Sequence, residues 1–484
     1  MSYKDLREFI SFLDSKNQVQ YIDARVSRDL EISEITDRAV KSGGPVLYFR
    51  NVEGFTIPVV TNLFGTHQRM AWALGVENTD DLTQKVRDIL GIVKTPPESM
   101  LDKLKALKDM ANLARTQPKR ISSAPCQEIV KIGQDADLNY LPHLTCWPMD
   151  GGRYITLPLV ISKDPSSGKR NVGTYRMQIY DSHTAGMHWQ SHKVGASHYR
   201  SGELLKLPKM EVAIALGSDP VTIWTGALPL PPDMDEIAVS GVLRNSSVEM
   251  IKCKTVDLEV PAHSEAVLEG YVVPGELKEE GPFGDHTGYY SLEDDYPVFH
   301  LTALTHRRQP IYPATVVGRP PSEDFFMGKA VERLMLPALQ LTLPEVVDIN
   351  MPAEGVFHNL VIVSMKKEYP GHTRKVMNAI WGLGLMMLSK GIIIVDDTVN
   401  VQDLSEVTWR VTSNINPDTD IVITEGPVDD LDHASPIPKY GSKLGIDATK
   451  KTALDGRKRI WPPDVIMSDE IKLLVTDRWS EYGF

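Results

Sequence analysis

The stretch from about residue 154 to residue 317 constrains the fold most, because short apolar runs recur there at close spacing. Residues 154–161, 212–216, 250–254, 266–273, 298–305 and 311–317 each read as a strand. Residues 173–180 and 186–190 read as a hairpin about Asp181-Ser182-His183-Thr184, and residues 235–244 as a helix among the strands. Many strands with few helices predict a barrel-like β domain.

The flanks differ. Upstream, Leu6, Phe9, Ile10 and Leu13 fall at helical spacing, and a second helix over 31–41 stops at Gly43-Gly44. Strands are expected over 46–49 and 58–62, then a helix carrying Met70, Trp72 and Leu74, and another over 80–90 capped by Asn78 or Thr79. Thr95-Pro96-Pro97 caps one more helix running to about Leu113, and the polar, basic residues 114–125 read as a linker. This N-terminal region reads as a module of its own.

Downstream of Pro321, helices over 326–340, 372–388 and 404–412 alternate with strands over 346–349, 360–365, 392–395 and 421–423. That alternation predicts a mostly parallel sheet covered on both faces. Residues 432–451 read as loop, and a last helix carries Ile471, Leu474, Val475 and Trp479 on one side. The expected class is multidomain α+β: an N-terminal α/β module (1–115), a central β domain (116–320) and a C-terminal α/β domain (321–484).

Composition narrows the function. A net charge of −12 argues against nucleic acid as a general partner. Cys126, Cys146 and Cys253 are few and widely spaced, so neither a disulfide framework nor a CxxC metal site is written. Met1-Ser2-Tyr3-Lys4-Asp5 holds no apolar signal region, and a reducing cytoplasm is the expected location. The apolar run 379–395 is interrupted by Ser389-Lys390, short of the ~20 residues that span a bilayer. The chain carries no GxxxxGK[ST], HExxH or GxSxG motif.

Two sets of residues can carry chemistry. In Glu280-Gly281-Pro282-Phe283-Gly284-Asp285, a Gly/Pro turn can bring two carboxylates to one side of a pocket. Paired carboxylates in unequal surroundings can hold an acid and a base. Asn171, His192 and Glu236 offer an amide oxygen, an imidazole and a carboxylate, a set suited to Mg²⁺ or Mn²⁺ rather than structural zinc. Spacing alone does not group these three.

Asn171-Val172-Gly173-Thr174-Tyr175-Arg176, Met187-His188-Trp189-Gln190-Ser191-His192-Lys193, Asp235-Glu236-Ile237-Ala238 and the Glu280–Asp285 stretch together resemble the UbiD family of decarboxylases. The resemblance runs nearly end to end, from Asp5-Leu6-Arg7 to Gly441-Ser442-Lys443 and the last helix. It implies a split-barrel central domain that binds prenylated flavin mononucleotide (prenylated FMN), the electron sink that no side chain supplies well. It assigns Asn171, His192 and Glu236 to a divalent metal, Mn²⁺ or Mg²⁺, that anchors the flavin phosphate, with K⁺ nearby on backbone oxygens. Cofactor contacts fall to Thr174, Tyr175, Arg176, His188, Trp189, Gln190, Lys193 and Val194, with Lys443 as a phosphate contact. Glu280, Arg176 and Asp285 map onto the family's carboxylate–Arg–carboxylate network, in which Asp285 transfers the proton to carbon.

The implied activity is reversible, non-oxidative decarboxylation of an aromatic acid, most naturally in quinone biosynthesis, with a flavin prenyltransferase supplying the cofactor. The expected substrate is 3-polyprenyl-4-hydroxybenzoate or a dihydroxynaphthoate-type acid. A non-quinone aromatic or α,β-unsaturated acid is the alternative. Family members acting on prenylated 4-hydroxybenzoate often read Tyr-Arg-Gln-Gln and Arg-Trp-Leu. This chain reads Tyr175-Arg176-Met177-Gln178 and His188-Trp189-Gln190, a form also similar to decarboxylases of menaquinone synthesis. The resemblance further implies a site between the central and C-terminal domains, a homodimer or higher homo-oligomer, and room for peripheral membrane contact with a lipid-like substrate. The rival classes are a flavin-free metal-dependent hydrolase working through Asp285 and a non-catalytic pathway scaffold.

Overall fold

The computed structural model describes residues 2–94, 111–231 and 234–484. The helix start expected at Thr95-Pro96-Pro97 lies outside them. Among the described residues, nine strands form a central sheet curled into a half barrel. Its path runs Arg153–Ile155, Met177–Ile179, Thr184–Met187, Asp294–His306, Ala266–Glu280, Met210–Leu216, Leu159–Lys163 and Arg170–Gly173, with Ile129–Ile132 paired to Asp294–His306. The hairpin about Asp181–Thr184 is present, Met177–Ile179 pairing antiparallel with Thr184–Met187.

Successive strand residues face opposite sides, and both sides here are dry. Val160, Val212, Ile214, Leu216 and Leu268 pack with the N-terminal residues Ile32, Leu47, Phe49 and Val59. Leu159, Ile161, Ala213, Ala215 and Val267 pack instead with Ile237, Met250 and Val260. Each of the Val, Leu, Ile, Met and Phe side chains among them contributes about 1.5–3 kcal/mol when fully buried. The N-terminal region therefore shares a core with the central sheet. Tyr312–Pro313, expected in the barrel, instead joins the N-terminal sheet, pairing parallel with Val59–Thr61.

Two further expectations change. Residues 154–161 form two strands, since Pro158 between them has no N–H for the ladder. The basic segment 114–125 is not all linker, because Lys119–Arg120 pairs with Glu249–Lys252. The helix Val194–Leu204, which follows the Trp189–Lys193 run, was not expected.

The helix Glu323–Thr342 joins the central sheet to the C-terminal part. Glu323 Oε1 accepts from Phe64 N–H at 2.8 Å, and Trp224 Nε1 donates to Met327 O at 3.0 Å. Both bonds fix the start of this helix, and Asp324 with it. The C-terminal sheet runs Val346–Asn350, Leu360–Met365, Gly391–Asp396, Tyr440–Asp447, Ile421–Pro427. It is covered on both faces, but its outer pairs are antiparallel and only the inner pairs are parallel. The sheet is mixed rather than mostly parallel. Tyr440–Asp447 falls inside the stretch expected as loop. The expected helix over 372–388 stops at Trp381, two residues before Leu383 and then Gly384, which takes φ +48°.

Candidate active site

Glu280 ends the strand Ala266–Glu280, and Asp285 follows the two-residue strand Phe283–Gly284. Gly281 turns the chain between them at φ +107°, a conformation that suits glycine. Its N–H donates to Gln178 Oε1 at 2.8 Å, and Gly284 N–H donates to Asp150 Oδ1 at 2.8 Å. A Cβ at Gly284 would lie 2.1 Å from the Trp147 ring, so only glycine lets the turn lie this close.

The turn delivers both carboxylates to one guanidinium. Arg176 donates from Nε and Nη2 to the two oxygens of Glu280 at 2.9 and 3.0 Å, from Nη1 to Asp285 Oδ2, and from Nη2 to Ser291 Oγ at 2.9 Å. Its plane lies over the Phe283 ring at 4.6 Å. His188 Nδ1 lies 2.9 Å from Glu280 Oε2. Burial alone would raise Glu280, but the His188 hydrogen bond and the Arg176 charge hold it at about 2. Burial would raise Asp285 too, and the charges of Arg176 and His286 hold it well below the usual carboxylate range.

Asn171 and Glu236 come together through the backbone. Glu236, first in the helix Glu236–Arg244, accepts from Val172 N–H at 3.0 Å. Asn171 Nδ2 donates to the Tyr175 hydroxyl at 3.4 Å, and that hydroxyl also accepts from Gly195 N–H at 3.3 Å, at the start of the helix Val194–Leu204. His192 lies just ahead of this helix. Desolvation lifts Glu236 to about 7, against the hydrogen bonds from its own N–H and that of Val172. Among the described residues no three His, Cys, Asp or Glu side chains are grouped to hold a metal, so any cation here also needs the Asn171 amide.

Four buried polar atoms in these runs have no partner: Thr174 Oγ1, His188 Nε2, Trp189 Nε1 and His192 Nε2. Leaving such an atom unpaired costs about 1–3 kcal/mol. A polar ring system with a phosphate and a cation offers partners for donors and acceptors of these kinds, so the residue types fit the expected cofactor. Trp189 also packs edge-on against Tyr175 at 6.4 Å, so it belongs to the core as well. Burial lowers Lys193, and the Asp429 charge opposes that shift. Gln190 accepts from Lys193 N–H through its carbonyl, and Val194 opens the helix. Lys443 stands apart: its ammonium donates to Met387 O and, at 2.9 Å, to Ser389 O, inside the C-terminal part. The structure does not bring it to the Arg176 cluster.

Behind Asp285 stand further groups that no sequence motif marked. His286 Nδ1 lies 2.7 Å from Asp285 Oδ1, and His286 Nε2 lies 2.8 Å from His358 Nε2, which belongs to the C-terminal part. Asp324 and Asp429 also face His286. His286 directly follows Asp285 in sequence, and that adjacency was the available signal. Nothing local pointed to His358, Asp324 or Asp429.

Three family models match the chain: the 3-octaprenyl-4-hydroxybenzoate carboxy-lyase N-terminal domain over residues 10–89, the Rift-related domain over 119–320 and the C-terminal domain over 325–448. An uncharacterized protein of Archaeoglobus fulgidus is 48% identical over 482 residues, covering 99% of each chain. The vanillic acid decarboxylase of Sedimentibacter hydroxybenzoicus in its closed form is 28% identical, with a TM-score of 0.84, covering 100% of this chain and 98% of that one. The UbiD-class enzyme HmfF from Pelotomaculum thermopropionicum, solved with prenylated FMN in an evolved dimeric form, is 28% identical with a TM-score of 0.78, covering 98% of this chain and 100% of that one. With three models in order over most of its length, the chain belongs to the UbiD family and is a carboxy-lyase of the decarboxylase type.

Proposed function

We propose that this protein removes CO₂, reversibly and without net oxidation, from a small aromatic carboxylic acid, using prenylated FMN. The observation that carries the reading is the Arg176 guanidinium held between buried Glu280 and Asp285, beside a run of unpartnered polar atoms. HmfF holds prenylated FMN, which supports the same cofactor here. When bound, that cofactor supplies the electron sink for the pair left behind by CO₂.

Thr174, Tyr175, Arg176, His188, Trp189, Gln190, Lys193 and Val194 would hold the cofactor. Asn171, His192 and Glu236 would hold Mn²⁺ or Mg²⁺ against its phosphate, with K⁺ close by. Asp285 moves the proton to and from the substrate carbon. Arg176 orients Asp285, and Glu280 fixes Arg176 by filling its other edge. The central and C-terminal parts meet at the His286–His358 contact beside Asp285, and closure there would keep water from the carbon while it carries the electron pair.

The finer reading is a quinone-pathway acid, 3-polyprenyl-4-hydroxybenzoate or a dihydroxynaphthoate-type acid, in line with the matched family descriptions. A small phenolic acid outside that pathway is the second reading, favoured by the likeness to the vanillic acid decarboxylase. A flavin prenyltransferase would supply the cofactor. No helix among the described residues is long and apolar enough to cross a membrane, so contact with a lipid-like substrate would be peripheral. We also read the chain as a homo-oligomer: residues 460–484 expose Ile460, Val465, Ile466, Leu473, Trp479 and Phe484, and an evolved form of the HmfF relative is dimeric.

The test is the absorption spectrum and intact cofactor mass of protein co-produced with a flavin prenyltransferase, followed by CO₂ release from phenolic and naphthoic acids. Prenylated FMN bound and CO₂ released is the expected result. Folded, metal-loaded protein with no flavin under those conditions overturns it.

A further inference from the structure

Asp285 as it stands is ionised, pressed between the Arg176 guanidinium and the His286 ring. An ionised carboxylate can take a proton from carbon, the direction of carboxylation. It cannot give one, and decarboxylation needs it to. Arg176 cannot reload it, because a guanidinium does not lose its proton in proteins. The other group bonded to the Asp285 carboxylate is His286.

We propose that His286, oriented by His358, returns the proton to Asp285 in each turnover of the decarboxylation. This rests on the function proposed above. Neither histidine touches the substrate carbon; both act through Asp285 and are positioning residues in that sense.

The geometry sets the roles of the nitrogens. His286 Nδ1 lies 2.7 Å from Asp285 Oδ1, and its Nε2 lies 2.8 Å from His358 Nε2. When His286 is an imidazolium, both its nitrogens donate, so His358 Nε2 accepts and the His358 proton resides on Nδ1. That Nδ1 is buried and has no partner. His358 thus stays neutral and fixes the His286 ring with Nδ1–H aimed at Asp285.

The charges agree. His286 is faced by Asp285 on its own loop, by Asp324 at the start of the helix Glu323–Thr342, and by Asp429 after the strand Ile421–Pro427. Burial would lower it, but these three carboxylates lift it to about 9. Burial and the His286 charge push His358 down to about 4, with Lys193 adding to the push and Asp429 and Asp285 opposing it. Arg176 lies across Asp285 from His286 and keeps that carboxylate ionised at rest, so the proton leaves His286 for Asp285 only as the electron-rich substrate carbon draws it on.

The balance is simple. The substrate carboxylate leaves as CO₂, and its electron pair stays behind on the substrate carbon. His286 Nδ1–H passes its proton to Asp285, and Asp285 passes it to the carbon. Neutral His286 regains a proton from water when product leaves. One proton is consumed for each CO₂ released, and nothing is oxidised or reduced.

The test uses full-length protein carrying prenylated FMN, with the variants His286→Asn and His358→Gln. Asn keeps a donor near Nδ1 but does not titrate. Flavin mass and thermal unfolding report loading and folding. Exchange of the product C–H in D₂O reports the proton step without CO₂. Imidazole NMR of flavin-free protein reports the titration directly. We expect a wild-type His286 resonance that stays imidazolium to about pH 9. We expect His286→Asn to load flavin, to slow exchange ~10²–10⁴-fold as loss of an acid–base group does, and to lose the alkaline limb of the decarboxylation profile. We expect His358→Gln to move that limb while keeping measurable exchange. Wild-type exchange and an unchanged profile in flavin-loaded His286→Asn would overturn the proposal. Wild-type protein that binds no prenylated FMN and exchanges no product hydrogen would overturn the function and this inference together, a result distinguishable from failure of the histidine pair alone.

Discussion

Arg176 and Glu280 meet edge to edge, two N–H groups on two carboxylate oxygens at 2.9 and 3.0 Å, with the carboxylate fully buried. Removing one partner of a buried pair strands the other charge, at a cost of about 3–5 kcal/mol. Glu280→Gln also leaves a single acceptor oxygen to serve both Arg176 and His188 Nδ1. We expect a clear fall in unfolding temperature together with loss of turnover. Unfolding by circular dichroism and CO₂ release, measured on one preparation, check it. An unchanged midpoint would mean the pair is solvated in solution.

Asp285→Asn removes the carboxylate while keeping the shape. Turnover should fall ~10²–10⁴-fold, with flavin loading nearly intact, because Asp285 is not among the residues assigned to the cofactor. The same change removes the nearest charge that raises His286, so its titration should move from about 9 toward the ordinary histidine value. Cofactor mass, turnover and imidazole NMR give three independent readings of one substitution.

Much of this was legible in the chain. The apolar runs at 212–216 and 360–365 announce strands because both faces of their sheets are buried, so nearly every residue is apolar. Tyr440–Asp447 was illegible for a physical reason: its inward residues are Gly441, Lys443 and Gly445, which carry no alternating apolar signal. Tyr312–Pro313 reads as one more barrel strand until its parallel partner Val59–Thr61, far off in sequence, is known. At the site, the Gly281 turn made the meeting of Glu280 and Asp285 foreseeable from local chemistry. The His286–His358 contact spans 72 residues and two parts of the fold, and no local pattern encodes it.

Stability should fall at both ends of the pH range, for opposite reasons. Glu280, held at about 2, and Asp285, held lower still, contribute fully above the unfolded carboxylate range near pH ~4 and lose that contribution as pH falls through their folded values. His286, raised to about 9, contributes fully below the ordinary histidine value and loses it as pH rises through 9. Urea midpoints from pH 2 to pH 10 should trace a plateau with two shoulders. In Asp285→Asn the alkaline shoulder should move down toward neutrality, since the His286 shift depends on that carboxylate.

Glu236→Ala removes the one carboxylate proposed for the cation site and leaves Val172 N–H without its side-chain acceptor. Loss of an outer-shell partner typically costs ~10–100-fold in metal affinity, and loss of a direct ligand costs more. Protein purified with Mn²⁺ should therefore lose its metal, and with it the flavin phosphate anchor, while the Arg176–Glu280 pair stays folded. Elemental analysis and cofactor mass on the same sample check this. Retained flavin in metal-free protein would mean that the phosphate is held by protein groups alone.

The C-terminal segment should be covered by a second copy of the chain. Val465 is fully exposed, and Ile460 and Phe484 are 89% and 80% exposed, in a stretch whose helix Asp469–Asp477 buries none of its residues. Apolar side chains left in water at that density mark an association surface. Together with the homo-oligomer proposed above, this makes another copy the occupant to test. Leu474→Asp combined with Trp479→Asp should give a folded, smaller species by light scattering, with the Arg176 site unaltered because none of its residues lies in this segment. A wild-type chain that is already monomeric at micromolar concentration would rule the surface out as a self-contact.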